Sequence, residues 1–153
     1  MNRTKSAILL LAILIPSASL IGAYTYFWGS GIGGSLGGPG IFGTPAPCYN
    51  VTIIINYGKD YGHGVTQTFS QLNFTQGASV FEGLVGAIGD ANVTYQYYGS
   101  LVFVRGINGV INGGSANLYW QYYINGQYGP SASNLYYLGN NSVVEWRYES
   151  SRF

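Results

Sequence analysis

Charge is what this sequence has least of. Only 7% of its 153 residues are Asp, Glu, Lys or Arg, against roughly 25% in an ordinary soluble protein. The net charge of +1 leaves no basic patch from which phosphate contacts could be built, so nucleic-acid binding has no footing. Cys48 is the sole cysteine, which excludes an internal disulfide framework and leaves a free thiol or a bridge to a second chain. His63 is the sole histidine, and Lys59-Asp60-Tyr61-Gly62-His63-Gly64 reads as a solvated turn rather than a proton-sharing Asp60–His63 pair. Metal-ligand spacings, phosphate loops and nucleophile motifs are missing. The chain therefore reads as a non-enzyme, with no catalytic residue, no metal ligand and no cofactor of its own.

The charges are also unevenly placed, with none between Lys5 and Lys59. Inside that gap Ala7 to Trp28 is a run of 22 uncharged, mostly apolar residues. As a helix it would span about 33 Å, enough for a bilayer core of roughly 30 Å. Arg3 and Lys5 before it put the N-terminus inside, with Tyr24, Tyr26, Phe27 and Trp28 as an outer aromatic belt. Three readings of residues 1–28 stay open. One is an uncleaved anchor. Another is a signal peptide with its apolar core at Ile8 to Ile15 and small residues at Ser17-Ala18-Ser19. In the third, Lys5-Ser6-Ala7 resembles the processing site of archaeal type IV pilin-like precursors. Each delivers the remainder outside the cell, or to the outer face of its membrane.

Glycine (24) and tyrosine (15) take the place of charge. Residues 29–47 hold eight Gly and three Pro among nineteen positions, the composition of a flexible tether of about 25 Å root-mean-square span. Ile32, Leu36, Ile41 and Phe42 leave open a docking role, such as lending a strand to a neighbour. Asn-x-Ser/Thr acceptors stand at Asn50, Asn73, Asn92 and Asn140, with a fifth at Asn2 on the inner side. The four outer ones read as glycosylation sites, which would solubilise a surface short of charge. Low charge with abundant Tyr and Gly suits a hot acidic habitat and points to a crenarchaeal source.

A folded domain is expected over residues 48–153. Val51, Ile53, Ile55 and Tyr57 alternate on one strand face, Gly58 to Gly64 turns, and Val65 to Phe69 returns. Ser79-Val80-Phe81-Glu82 is a capping box opening a helix with an apolar stripe at Val80, Phe81, Leu84, Val85 and Ile88. Gly83 and Gly86 weaken it, so packing must hold it. Val93 to Tyr98 and Leu101 to Ile107 read as strands joined at Gly99-Ser100, with a turn at Gly113-Gly114. Trp120, Tyr122 and Ile124 share one face of the next strand, ahead of an Asn125-Gly126 type I′ hairpin turn. Val144, Trp146 and Tyr148 share a face of the last strand, with Glu145, Arg147 and Glu149 on the other as structural ion pairs. This order is α+β: one short helix lying across a mixed sheet.

The capped helix, the strand ending Val104-Arg105-Gly106-Ile107-Asn108-Gly109, the Trp120 to Asn125-Gly126 hairpin and the closing Val144-Glu145-Trp146-Arg147-Tyr148 follow in a shared order. In that order residues 50 to 149 resemble the transcobalamin C-terminal-like family of surface proteins. The resemblance implies a β-grasp-like fold of the soluble-ligand-binding type, which in the vitamin carriers closes over a corrinoid held mainly by a separate helical domain. Here Asn140-Asn141-Ser142 replaces the family's usual Gly-Asp turn, and no such helical domain is encoded in these residues. Corrinoid binding is therefore an expectation of the resemblance alone.

Binding chemistry rests on aromatics. Tyr119 and Tyr123 alternate with the Trp120 face, and Tyr128 follows the hairpin, so Tyr119, Tyr123, Asn125, Gly126 and Tyr128 form the expected ligand site. The competing reading makes the tyrosines core residues and an uncharged outer coat. The leading functional expectation is a membrane-tethered, glycosylated extracellular module that binds a small molecule, a glycan or a surface protein. The alternative is a structural envelope protein, a pilin-like or filament subunit assembling with copies of itself.

Overall fold

The computed structural model describes residues 40–41, 44–59, 64–113 and 117–151. The expectations for the apolar segment at 7–28, the Asn2 acceptor, most of the 29–47 tether and the Asp60–His63 turn lie outside them.

Among the described residues ten strands, an α-helix and a 3-10 turn (Asp90–Asn92) run in the order β1 (Gly40–Ile41), β2 (Cys48–Asn56), β3 (Thr66–Phe74), α1 (Val80–Ile88), the 3-10 turn, β4 (Val93–Tyr98), β5 (Leu101–Ile107), β6 (Val110–Ile111), β7 (Leu118–Ile124), β8 (Gln127–Tyr128), β9 (Tyr136–Tyr137) and β10 (Val143–Ser150). The main sheet has the order β3-β2-β10-β7-β8, with β10 parallel to β2 and the other pairs antiparallel. A second sheet joins β4, β5 and β6, and β1 pairs with β9. The α+β class, the mixed sheet and the short helix are as the sequence predicts.

Alternation decides the core. Val51, Ile53 and Ile55 of β2, Trp120, Tyr122 and Ile124 of β7, and Val144, Trp146 and Tyr148 of β10 all turn to the same buried cluster. Tyr57 joins it, although it lies one residue past the strand. The helix covers this face. The Ser79 side chain accepts from the Glu82 backbone N–H at 3.3 Å, and the Glu82 carboxylate accepts from the Ser79 N–H at 2.7 Å, completing the capping box. Val80 and Leu84 are fully buried. Gly83 is there because a Cβ would stand 2.9 Å from Leu138 Cδ1 and 3.4 Å from Ile53 Cδ1. The residue that weakens the isolated helix lets it lie close to the sheet.

The β1–β9 pairing takes Gly40 and Ile41 out of the expected flexible tether, and three further segments depart from expectation as well. β3 runs to Phe74 rather than Phe69, because a bulge carries the pairing onward: Phe69 pairs with Ile53, Leu72 with Val51 and Phe74 with Cys48. Asn50 and Gln71 sit at positive φ on the two strands of this irregular stretch, 56° and 59°. The three-residue step from Phe69 to Leu72 breaks the period of two, which hid the continuation. Cys48 begins β2 and has no exposed surface, so its thiol is a small core group and is closed to the interchain bridge left open by the sequence. Burial also raises its pKa. The third is β6, a strand the sequence reading does not include. Asn108 and Gly109 have φ of 49° and 80° between paired Ile107 and Val110, a second Asn-Gly hairpin turn.

The hairpin at Asn125-Gly126 is as predicted, with φ of 48° and 81° and Ile124 paired to Gln127. The β4–β5 hairpin closes at Gly99-Ser100 as expected, with positive φ at Gly99 alone, the type II′ pattern.

Candidate functional site

β7 builds the site, because its two faces do different work. Its core face carries Trp120, Tyr122 and Ile124; the opposite face carries Tyr119, Gln121 and Tyr123 beside Arg147 and Glu149 of β10. Its second neighbour, β8, is only two residues long and pairs only Tyr123 and Ile124. The remaining edge of β7 is closed piecemeal. Gly129 N–H donates to the Tyr122 carbonyl at 2.9 Å, and Asn112 Oδ1 accepts from Trp120 N–H at 2.8 Å. Leu118 and Gly113 exchange backbone bonds.

Beside this edge lies a cavity of about 310 Å³, lined by Phe103, Tyr119, Trp120, Gln121, Tyr128 and Ser131 among others. Gly129 forms part of its wall, where a Cβ would fall 2.2 Å from the Tyr122 ring. The Tyr122 hydroxyl is fixed by donating to the Ser131 carbonyl at 2.7 Å, and burial raises its pKa. None of the lining residues carries a formal charge.

Gln121 is the chemically informative member. It is 7% exposed, and its Nε2 donates to the Ser150 carbonyl at 3.0 Å. That bond fixes which amide atom is which. Its Oε1 is buried and has no hydrogen-bond partner among the described residues. A buried orphan acceptor costs roughly 1–3 kcal/mol, which a donor reaching it from the adjoining cavity would offset.

The five expected site residues separate in the structure. Tyr119 and Tyr128 come together at this cavity, with the Tyr119 hydroxyl donating to Asn117 Oδ1 at 3.0 Å. Asn125 lines a neighbouring hollow of about 300 Å³ with Tyr128, Gln127 and Tyr136, and its Oδ1 accepts from Val143 N–H at 2.9 Å. Gly126 is exposed at the turn and lines neither. Tyr123 is 3% exposed: its hydroxyl bonds to the Glu149 carboxylate, the Arg147 guanidinium lies 3.9 Å over its ring, and the Tyr128 ring meets its edge at 5.6 Å. It supports Tyr128 from behind. The sequence reading missed Gln121, Phe103 and Ser131; the signal for Gln121 was an uncharged amide between two tyrosines on one strand face.

The ionic residues of β10 serve the sheet, but the ion pair runs along β10 rather than across to a neighbouring strand as expected. Arg147 and Glu145 pair at 2.6 Å, and Asn56 Nδ2 donates to Glu145 at 3.0 Å. The hydrogen bond from Arg147 holds the Glu145 carboxyl below the ordinary range; partial burial works against it and Asn56 assists.

The four outer glycosylation acceptors are all exposed. Three meet at one end of the sheet, where Asn73 Oδ1 accepts from Asn50 N–H at 3.0 Å and Asn140 Oδ1 from Tyr49 N–H at 2.9 Å. Asn50 Nδ2 donates to Asn141 Oδ1 at 2.8 Å. Asn92 Nδ2 donates to the Ile88 carbonyl at 2.6 Å.

Among the described residues no group of three or more His, Cys, Asp or Glu could hold a metal ion, and no helix is long and apolar enough to cross a membrane. At about 310 Å³ the cavity lies at the lower end of the ~300–1,000 Å³ typical of small-ligand pockets, and its lining holds no imidazole.

Comparison with known proteins agrees with this geometry at the level of fold. The sequence family described as a domain of unknown function (DUF4430) matches residues 77–150, from the turn before the capping box to the end of β10. No curated protein matches. The structure is similar to a protein from Ruminococcus gnavus described as a candidate metal binding protein, at 12% identity and TM-score 0.54, over 67% of this chain and 97% of that one. It is also similar to haptocorrin in complex with Cbi, at 14% identity and TM-score 0.53. That match covers 71% of this chain and 27% of haptocorrin, so the chain spans about a quarter of that protein's length. The fold is thus transcobalamin C-terminal-like; one of these neighbours is described as metal binding and the other was solved in complex with Cbi.

Proposed function

We propose that this chain is a non-enzymatic binding module held at the outer face of a membrane by its N-terminal apolar segment and glycosylated on its exposed acceptors. Its ligand is an uncharged small molecule or chain segment that enters the cavity beside β7. The observation that carries the reading is Gln121: a buried amide with an unsatisfied Oε1, lining a cavity walled by aromatic rings. An unsatisfied buried acceptor costs stability, and a ligand donor is one group that would offset that cost. The fold shared with haptocorrin, a structure solved with Cbi bound, supports a binding role.

The test is a thermal-shift and tryptophan-fluorescence screen of the full-length chain with uncharged small molecules, repeated on Gln121→Leu. A ligand that stabilises the wild type and leaves the variant unmoved supports the reading. Stabilisation that persists undiminished in the variant removes Gln121 from the site. For the tether, mass spectrometry of the native N-terminus decides: the segment retained in membrane-bound protein supports an anchor. A chain starting at Ala7 within filaments visible by electron microscopy would favour the envelope-subunit reading instead.

A further inference from the structure

The cavity is not an isolated hollow. Phe103, one of its walls, is 40% exposed and continues outward along β5 to Leu101 and across the hairpin to Tyr98, at 43% and 58% exposed. The Tyr98 and Phe103 rings sit 6.2 Å apart, inclined by 69°. Asn134 holds this hairpin in place, its Oδ1 accepting from Val102 N–H at 2.9 Å and its Nδ2 donating to the Ser100 carbonyl at 2.8 Å. The result is a strip of rings, from Tyr128 and Tyr119 through Phe103 to Tyr98, with the buried Gln121 amide behind the cavity at one end.

Resting on the binding reading above, we infer that the ligand is a neutral glycan chain, with one sugar in the Gln121 cavity and further units on the Phe103–Tyr98 strip. Three features narrow the chemistry. A charged ligand would find no counter-charge among the lining residues and would lose its hydration without return. A purely apolar ligand would leave Gln121 Oε1 unsatisfied. A sugar ring meets both demands: hydroxyl donors for Oε1, and C–H faces for the electron-rich faces of Tyr and Phe rings.

An extended peptide adding a strand to β7 fits less well, because the ladder positions there are taken. Trp120 N–H is held by Asn112, whose Nδ2 is itself committed to the Val104 carbonyl at 2.8 Å. The Tyr122 carbonyl accepts from Gly129 and Leu118 is bridged to Gly113. An incoming strand would have to displace these bonds.

The experiment titrates the full-length chain with mannose and glucose oligomers of one to six units, read by tryptophan fluorescence. The expected result for at least one series is an affinity that rises about tenfold from monomer to tetramer as the Phe103 platform engages. Tyr98→Ala, on the strip but outside the cavity, flattens this length dependence and leaves the monomer's affinity unchanged, and Tyr98→Phe restores it; Phe103→Ala abolishes the length dependence and weakens the monomer as well. Gln121→Leu weakens every length alike, and melting curves check that each variant folds. Affinity independent of length, or a rise that survives Phe103→Ala, overturns the chain-binding inference. Silent sugars together with a Gln121-dependent response to benzamide overturn the glycan and leave the cavity as a site. Silence of sugars and benzamide, with a negative small-molecule screen, overturns both.

Discussion

Trp120 Nε1 donates to the Val110 carbonyl at 2.8 Å, so a core residue of the main sheet holds the short third strand of the second sheet. Tyr148 repeats the device on the next carbonyl, its hydroxyl donating to Ile111 O at 2.7 Å. Two rings that touch each other, 5.2 Å apart, thus bury their bodies in one sheet and spend their polar tips on the other. Replacing Trp120 by Phe removes the donor and part of the ring. The expected loss is about 2–4 kcal/mol of unfolding free energy, read from the urea midpoint, with Tyr148→Phe costing about 1 kcal/mol. An unchanged midpoint in Trp120→Phe would show that β6 is held by other means.

The capping box gives a second prediction. Ser79→Ala removes the acceptor for Glu82 N–H and is expected to cost about 1 kcal/mol. Ser79→Asp, which keeps an acceptor at the cap, should recover most of it. Chemical denaturation of the three proteins side by side decides the matter; equal losses from both substitutions would mean that the cap adds nothing beyond packing.

Gly83→Ala sets two effects against each other. Helix propensity favours alanine by about 1 kcal/mol. Against that, the new methyl would stand 2.9 Å from Leu138 Cδ1, tighter than packing tolerates. Overpacking of a buried site costs about 1–3 kcal/mol, so the variant should be less stable than the parent, while Gly83→Ala with Leu138→Ala should be milder than Leu138→Ala alone predicts. A Gly83→Ala single variant of raised melting temperature would contradict this.

Acid should weaken the β10 surface through Glu145. Its carboxyl titrates below the ordinary range in the folded chain, chiefly because Arg147 donates to its charged form. A depressed folded pKa contributes stability that is full above the unfolded value, about 4.3, and lost as the pH falls through the folded value. Glu145→Gln should therefore flatten the fall in melting temperature below about pH 5. Parallel profiles for both proteins would rule Glu145 out as a source of the acid response.

Gln121→Leu separates folding from binding. Removing an unsatisfied buried acceptor offsets the loss of the Nε2 bond to Ser150, so the ligand-free variant should melt no lower than the parent. A marked drop in its melting temperature would recast Gln121 as a structural residue.

The fold was legible wherever pattern and local chemistry coincided. Alternation at Val51–Tyr57, Trp120–Ile124 and Val144–Tyr148 gave the core faces, and Ser79 with Glu82 gave the helix start. It failed where the period broke, at the Phe69-to-Leu72 step, and where a turn signal was read past, at Asn108-Gly109. The site was half legible. Aromatic alternation points to Tyr119 and Tyr128, which line the cavity, but Phe103 comes from a strand distant in sequence, and no local pattern reports that it lies there. Tyr123 looked like a binding residue because alternation places it opposite the core; the Arg147 and Tyr128 side chains that cover it come from other strands.

The uncharged lining of the cavity has a kinetic side. A ligand approaching it feels no long-range attraction, so encounter should proceed at the unsteered rate of about 10⁵–10⁶ M⁻¹s⁻¹ and change little with ionic strength. Selectivity among ligands would then lie in residence time, set by how long a hydroxyl stays on Gln121 and how many rings are stacked at once. Such a receptor would work alike in dilute and concentrated brine.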